Sequence, residues 1–216
     1  MNFEGLLEAA HNVVRSLNRP WDDRLNVILR YCVDHGAFPK IGRLRPEGEA
    51  LPAYLKLYIE RYYGAREQRL EFRAVGTLPD PAVDVILQAF IGLSDLSVVS
   101  EHHRQSMAAE NLLGLLLERY IAEQLEPQGW VWCAGNTVRS VDFLSGDLST
   151  ALQVKNRDNS ENSSSSAIRQ GTSIKKWHRI NSKTGKTNWP SFPVREVILS
   201  EEGFHRYIEA YANSLK

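Results

Sequence analysis

Cysteine is nearly absent from this chain, with two in 216 residues, Cys32 and Cys133. They stand about a hundred residues apart and belong to no Cys-x-x-Cys or Cys–His pattern. That excludes a structural zinc site and a disulfide framework, and it suits a reducing compartment. Long apolar runs are missing as well: nothing approaches the roughly 18 residues that cross a bilayer. The start, Met1-Asn2-Phe3-Glu4-Gly5, lacks the basic and apolar regions of a signal peptide. A soluble, cytoplasmic protein with no membrane partner is the expectation. Net charge is the third absence, 26 Lys and Arg against 26 Asp and Glu, which taken alone argues against a polyanionic partner. There is no internal repeat.

The distribution of charge says otherwise. From Lys155 to Lys186 there are eight Lys or Arg against two acids, an excess of +6 balanced by −6 elsewhere. Local neutralisation of phosphates, and not total charge, governs affinity for nucleic acid. At 216 residues the chain can bury a sizeable core.

Residues 1–105 read as a mostly helical N-terminal region. Leu6, Leu7, Ala10, Val13, Val14 and Leu17 follow helical spacing, and so do Leu25, Ile28, Leu29 and Cys32. Pro39 to Pro52 reads as a loop, and Ala53 to Tyr63 as a helix with an aromatic side of Tyr54, Tyr58 and Tyr62. Asp80 is placed to cap a helix from Pro81 to Leu93, and Ser106 to open one that runs to about Leu125. Beyond it the pattern predicts strands over 130–133, 139–144 and 150–155, a loop and helix over about 163–180, a strand over 194–199, and a last helix over 201–215 capped by Ser200. That order is α/β with a mixed sheet, residues 106–216 forming the core.

Two of those strands carry the chemistry. Val141-Asp142-Phe143-Leu144 and Ala151-Leu152-Gln153-Val154-Lys155 flank the turn Ser145-Gly146-Asp147-Leu148-Ser149. The hairpin brings Asp142 and Lys155 side by side at one end of a sheet. Gln153 shares the face of Lys155, because strand side chains alternate. A carboxylate, a second oxygen ligand and an ammonium on one sheet edge suit metal-assisted attack on a phosphodiester. Asp147 belongs to the turn chemistry instead. Upstream, Glu110, Gly114 and Glu118 form one i+4 stripe of a helix, followed by Gly129-Trp130 at the start of a strand.

This order of helix glutamate, strand aspartate and x-x-Lys strand resembles the PD-(D/E)XK nuclease superfamily. The tract Lys155-Asn156-Arg157-Asp158-Asn159-Ser160-Glu161-Asn162, with Ile168-Arg169-Gln170-Gly171-Thr172 after it, resembles the SinI-type type II restriction endonucleases. The likeness covers roughly residues 106–200. It implies a restriction-endonuclease-like mixed β-sheet core flanked by helices, and Mg²⁺-dependent cleavage of both strands of a short double-stranded DNA site, GGWCC-like, where W is A or T. A homodimer would match the two-fold symmetry of such a site. Asp142, Glu118 and Gln153 would be the metal ligands and Lys155 would act on the attacking water. Glu110 is the alternative helix ligand, with Glu118 preferred by its spacing to the strands. One departure stands out. The superfamily has Asp or Glu where this chain has Gln153, and an amide adds no charge to the ligand set.

The basic tract would carry the DNA. Asn156, Arg157, Asn159, Arg169 and Gln170 supply donors and acceptors that match base edges, and Lys175, Lys176, His178 and Arg179 suit the backbone. Arg43 and Arg45 are weaker candidates for backbone contacts. Trp177 and Trp189 serve either as stacking platforms or as buried anchors. Adjacent His102 and His103 point different ways on a helix and read as solvated surface. Two rivals remain: a structure-specific repair or junction nuclease of the same fold, and a catalytically degenerate DNA-binding module, for which Gln153 is the best argument.

Overall fold

The computed structural model describes residues 2–72, 80–92, 96–158 and 173–216. The chain forms two compact units, one of residues 1–68 with 118–216 and one of residues 69–117. In the first lie helices α1 (Phe3–Ser16), α2 (Arg24–His35) and α3 (Leu51–Glu67), a sheet, and the C-terminal helix. The three N-terminal helices form as their periodicity predicts, with Leu6, Ala10, Val14, Leu25, Ile28, Leu29 and Cys32 buried. Helix α3 turns Tyr54, Tyr58 and Tyr62 into the core, and each finds a partner for its hydroxyl. Tyr54 donates to the Pro39 carbonyl at 2.9 Å, Tyr58 to the Thr137 carbonyl at 2.9 Å and Tyr62 to Asp22 Oδ2 at 2.7 Å. A buried tyrosine brings large apolar area and one polar end that must be satisfied. These bonds therefore tie α3 to specific places in the chain.

The unit of residues 69–117 holds α4 (Pro81–Ile91) and the first part of α5 (Leu96–Leu125). Asp80 caps α4 through its side chain, accepting from Ala82 N–H at 2.9 Å, as its position before Pro81 predicts. Helix α5 starts ten residues before the expected Ser106. No Gly or Pro separates Leu96 from Ser106, so nothing in that stretch breaks the helix. No helix among the described residues is long and apolar enough to cross a membrane.

The described sheet has four strands in the order β1 (Trp130–Trp132), β2 (Phe143–Ser145), β3 (Ala151–Arg157) and β4 (Lys175–Ile180). The pairs β1–β2 and β2–β3 are antiparallel, and β3–β4 is parallel. A mixed sheet beneath helices is the α/β architecture that the pattern predicts. The turn before β3 is closed by Asp147, which accepts from the Ser145 hydroxyl and from Ser149 N–H at 2.7 and 3.0 Å. Helix α6 (Glu201–Ser214) is capped by Ser200, whose Oγ accepts from Gly203 N–H at 3.0 Å.

Three elements differ from the sequence pattern. The strand expected over 139–144 begins at Phe143, because the chain first makes a tight turn with Ser140 at φ +62° and Val138 bridged to Val141. The helix expected over 163–180 is a strand over 175–180, while residues 159–172 lie outside the described ones. The inner face of β4 is Trp177 and a buried arginine, Arg179, so it lacks the apolar alternation by which strands are read. Arg179 is satisfied by Asn156 Oδ1 at 2.9 Å and by an ion pair with Glu201. The strand expected over 194–199 is irregular backbone. Pro190 and Pro193 remove N–H donors there, and the buried residues are Val194 and Leu199, whose odd spacing does not fit one face of a strand. Trp177 and Trp189 are both buried and lie 5.0 Å apart, centroid to centroid. They anchor the core.

The loop from β1 to β2 passes tightly against α3 at Gly135. Its φ is +72°, and a Cβ there would fall onto the Arg61 carbonyl. Gly135→Ala is expected to destabilise the protein by roughly 2 kcal/mol or more through strain and clash together. Urea unfolding of the variant measures this, and a loss under about 0.5 kcal/mol would mean the close approach is not maintained in solution.

Candidate active site

Asp142 sits where the β2–β3 ladder is irregular. Phe143 is the register partner of Leu152, yet Asp142 N–H also donates to the Leu152 carbonyl at 2.9 Å. Two residues facing one make a β-bulge, which bends a strand and re-aims a side chain. The re-aimed carboxylate accepts from Val154 N–H through Oδ2 at 2.7 Å. A side chain thus does the work of the backbone acceptor at the next step of the ladder. The Asp142 carbonyl accepts from Cys133 N–H at 2.8 Å, so the residue is tied to strands on both sides.

Glu118 reaches the same place from α5. Its Oε2 accepts from the Trp132 indole at 3.0 Å. Trp132 is held in turn, its carbonyl accepting from Arg66 Nη2 at 3.0 Å and its N–H donating to Glu126 Oε1 at 3.3 Å. Arg66 and Glu126 form a well-covered ion pair at 2.6 Å. Trp132 is a positioning residue that the sequence reading did not single out. The available signal was Trp130-Val131-Trp132, since an inward indole needs an acceptor.

The two carboxyls perturb each other. Burial raises the pKa of Glu118, and the nearby Asp142 charge raises it further, against the indole bond and Lys155. Burial also raises Asp142, opposed by the Val154 N–H and by Lys155. Lys155 therefore lies within electrostatic reach of both acids. Gln153 is buried at 3 % exposure, and its Oε1 has no hydrogen-bond partner among the described residues. An orphaned buried acceptor costs about 1–3 kcal/mol, so this oxygen is prepared for something it lacks. Among the described residues no three His, Cys, Asp or Glu side chains gather to hold a metal. Two carboxylates and an amide oxygen still fit a hard divalent cation that keeps waters and takes further oxygens from a phosphate.

Glu110, the alternative ligand, is exposed and belongs to the unit of residues 69–117. His102 and His103 are exposed in that unit as well. Of the residues expected to meet DNA, Lys175, Lys176 and Arg157 are exposed and His178 is partly so. Asn156 and Arg179 are turned to each other, with Arg179 held on Glu201. Asn159, Arg169 and Gln170 lie outside the described residues. The register also separates Lys175 from Lys176: the first partners Leu152 on one face, the second Gln153 on the other. Both cysteines are free and buried.

The profile of the SinI restriction endonuclease family matches residues 53–214, three quarters of the chain. Residues of this chain are 47 % identical over 148 positions to the type II restriction enzyme SinI of Salmonella infantis, covering 65 % of this chain and 64 % of that protein. They are 49 % identical over 143 positions to the type II restriction enzyme Eco47I of Escherichia coli, covering 62 % of each. The matched stretch spans less than two thirds of either relative.

The raised carboxyl pKa values set a pH dependence. The folded protein keeps protons at Glu118 and Asp142 that an unfolded chain has released, so stability falls as pH rises from the unfolded value of ~4 through about 8 for Glu118. Metal-free protein is expected to lose roughly 2 kcal/mol between about pH 5 and about pH 8. Glu118→Gln should lose less than half of that, because an amide does not titrate. Urea unfolding in a chelating buffer gives both slopes, and equal slopes would place the titrating group elsewhere.

Proposed function

The chain belongs to the SinI restriction endonuclease family, and from that premise we propose that it is a type II restriction endonuclease cutting both strands of a short double-stranded DNA site. The observation that carries the reading is the meeting of Asp142 and Glu118, brought from a strand bulge and a helix, beside Lys155 and the orphaned Gln153 Oε1. These are the parts of a phosphodiester hydrolase, placed by different elements at one point.

Asp142, Glu118 and Gln153 would hold Mg²⁺. The cation, when bound, supplies Lewis acidity and offsets charge on the phosphate oxygens. It also removes the mutual repulsion of the two carboxyls, which explains why a fold would tolerate them together. The Lys155 ammonium orients the attacking water and faces the negative charge that grows as the new P–O bond forms and the scissile P–O bond breaks. The Val154 N–H keeps the Asp142 carboxylate from rotating, and the Trp132 indole does the same for Glu118, so little reorganisation is left for the reaction itself.

The exposed cations of residues 157–186 would neutralise DNA phosphates, with base readout from Arg157 and from the tract containing Asn159, Arg169 and Gln170. A homodimer would present two such centres to the two strands of a symmetric site. The catalytic residues all fall within 106–216, the segment read as the core.

The test is digestion of plasmid DNA carrying GGWCC sites, with and without Mg²⁺, followed by sequencing of the ends. Discrete Mg²⁺-dependent cuts at one sequence are expected. Scattered cuts at junctions or damage would favour a structure-specific nuclease, and binding without cutting would make the chain a DNA-binding module. Lys155→Ala should abolish cleavage and leave specific binding nearly intact, because its interactions grow in the transition state. Glu118→Gln should remove nearly all cutting, while Glu110→Gln should cut much as the parent does. An inactive Glu110→Gln beside an active Glu118→Gln would move the helix ligand two turns.

A further inference from the structure

The parallel pairing of β4 with β3 assembles a group that neither strand shows alone. Lys176 is the register partner of Gln153, and His178 that of Lys155. Partners in adjacent strands project to the same side, with backbones about 5 Å apart. Lys175 and Trp177 pair with Leu152 and Val154 on the opposite side. Lys176 therefore stands one strand away from the amide of the candidate centre, on the face that carries Lys155. The two ammoniums feel each other. Partial burial, then the charge of Lys155, holds the Lys176 pKa below its usual value. The side chain is nevertheless exposed, within reach of a ligand arriving from solvent.

Between these cations lies Gln153, which carries no charge and has an unsatisfied oxygen. A carboxylate at this position would pair with Lys176 and hold its ammonium down on the sheet. The amide leaves it available to an anion. Two like charges kept close are unfavourable until a negative group sits between them, and the strongest candidate is the phosphate under attack. Its non-bridging oxygens gain charge along the reaction, so a cation fixed by sheet register acts more strongly in the transition state than in the bound substrate.

We propose that Lys176 is a second catalytic cation, its ammonium contacting a non-bridging oxygen of the scissile phosphate on the far side of Gln153 from Lys155. The proposal rests on the nuclease reading and adds a residue to it. It separates Lys176 from the other basic residues of the tract, whose phosphate contacts would hold DNA without touching the reacting group.

The experiment compares Lys176→Gln and Lys176→Arg with the parent, using Lys56→Gln on the exposed side of α3 as a control for loss of one charge. Single-turnover cleavage of a duplex containing the mapped site is measured at saturating protein, and binding of the same duplex in metal-free buffer. Lys176→Gln should lower the saturated rate by about 10²–10³ while binding weakens by less than about tenfold. Lys176→Arg should recover most of the rate, and Lys56→Gln should match the parent. Weakened binding with an unchanged saturated rate would make Lys176 an ordinary phosphate contact and overturn the proposal while leaving the nuclease reading in place. A parent protein that cuts no DNA with Mg²⁺ would overturn both together.

Discussion

The hydrogen bond from Val154 N–H to the Asp142 carboxylate, 2.7 Å long, is the constraint on which the candidate centre depends. It exists because a bulge puts two residues of one strand against Leu152 of the next, which leaves the following N–H without a backbone acceptor. The carboxylate fills that role and is fixed by it. With Asp142 in place, the position of Glu118 matters, and Glu118 is set by the Trp132 indole. Trp132 is itself held through the Arg66–Glu126 pair, which links α3 to the start of the sheet. Moving any of these changes the separation of the two acids.

The centre is built against its own stability. Two buried carboxyls raise each other's proton affinity, and a buried amide oxygen goes unsatisfied. Elsewhere the same fold satisfies comparable groups with care, as in the buried Arg179 held by Asn156 and Glu201. The contrast is local. Strain confined to one corner of a well-bonded sheet is what a site for an absent positive ligand requires, and it matches the oxygen-rich chemistry of Mg²⁺ better than that of a thiolate or imidazole metal.

The family match begins at residue 53, near the start of α3, so α1 and α2 fall outside it. They are nonetheless joined to the matched part through polar groups: Tyr62 bonds Asp22, and Tyr63 bonds the Pro20 carbonyl at 2.6 Å. Cys32 of α2 approaches the Thr137 carbonyl, which also accepts from Tyr58. The N-terminal helices therefore brace α3 and the loop from β1 to β2, at some remove from the carboxyls.

By itself the sequence determined the helices of the N-terminal region, the caps at Asp80 and Ser200, the turn through Asp147 and the pairing of the Asp142 and Lys155 segments. Each follows from local periodicity or from side chains that bond backbone a few residues away, and such interactions act over short separations in sequence. The tertiary structure decided the rest. Residues 175–180 became a strand because Arg179 finds Asn156 and Glu201, 23 and 22 residues away along the chain, and no window of sequence shows that pairing. The bulge at Asp142, the indole grip on Glu118 and the placement of Lys176 beside Gln153 likewise depend on register between strands. Register is a property of the assembled sheet, settled by which buried polar groups must meet partners, and it is what turns scattered acids and lysines into a single site.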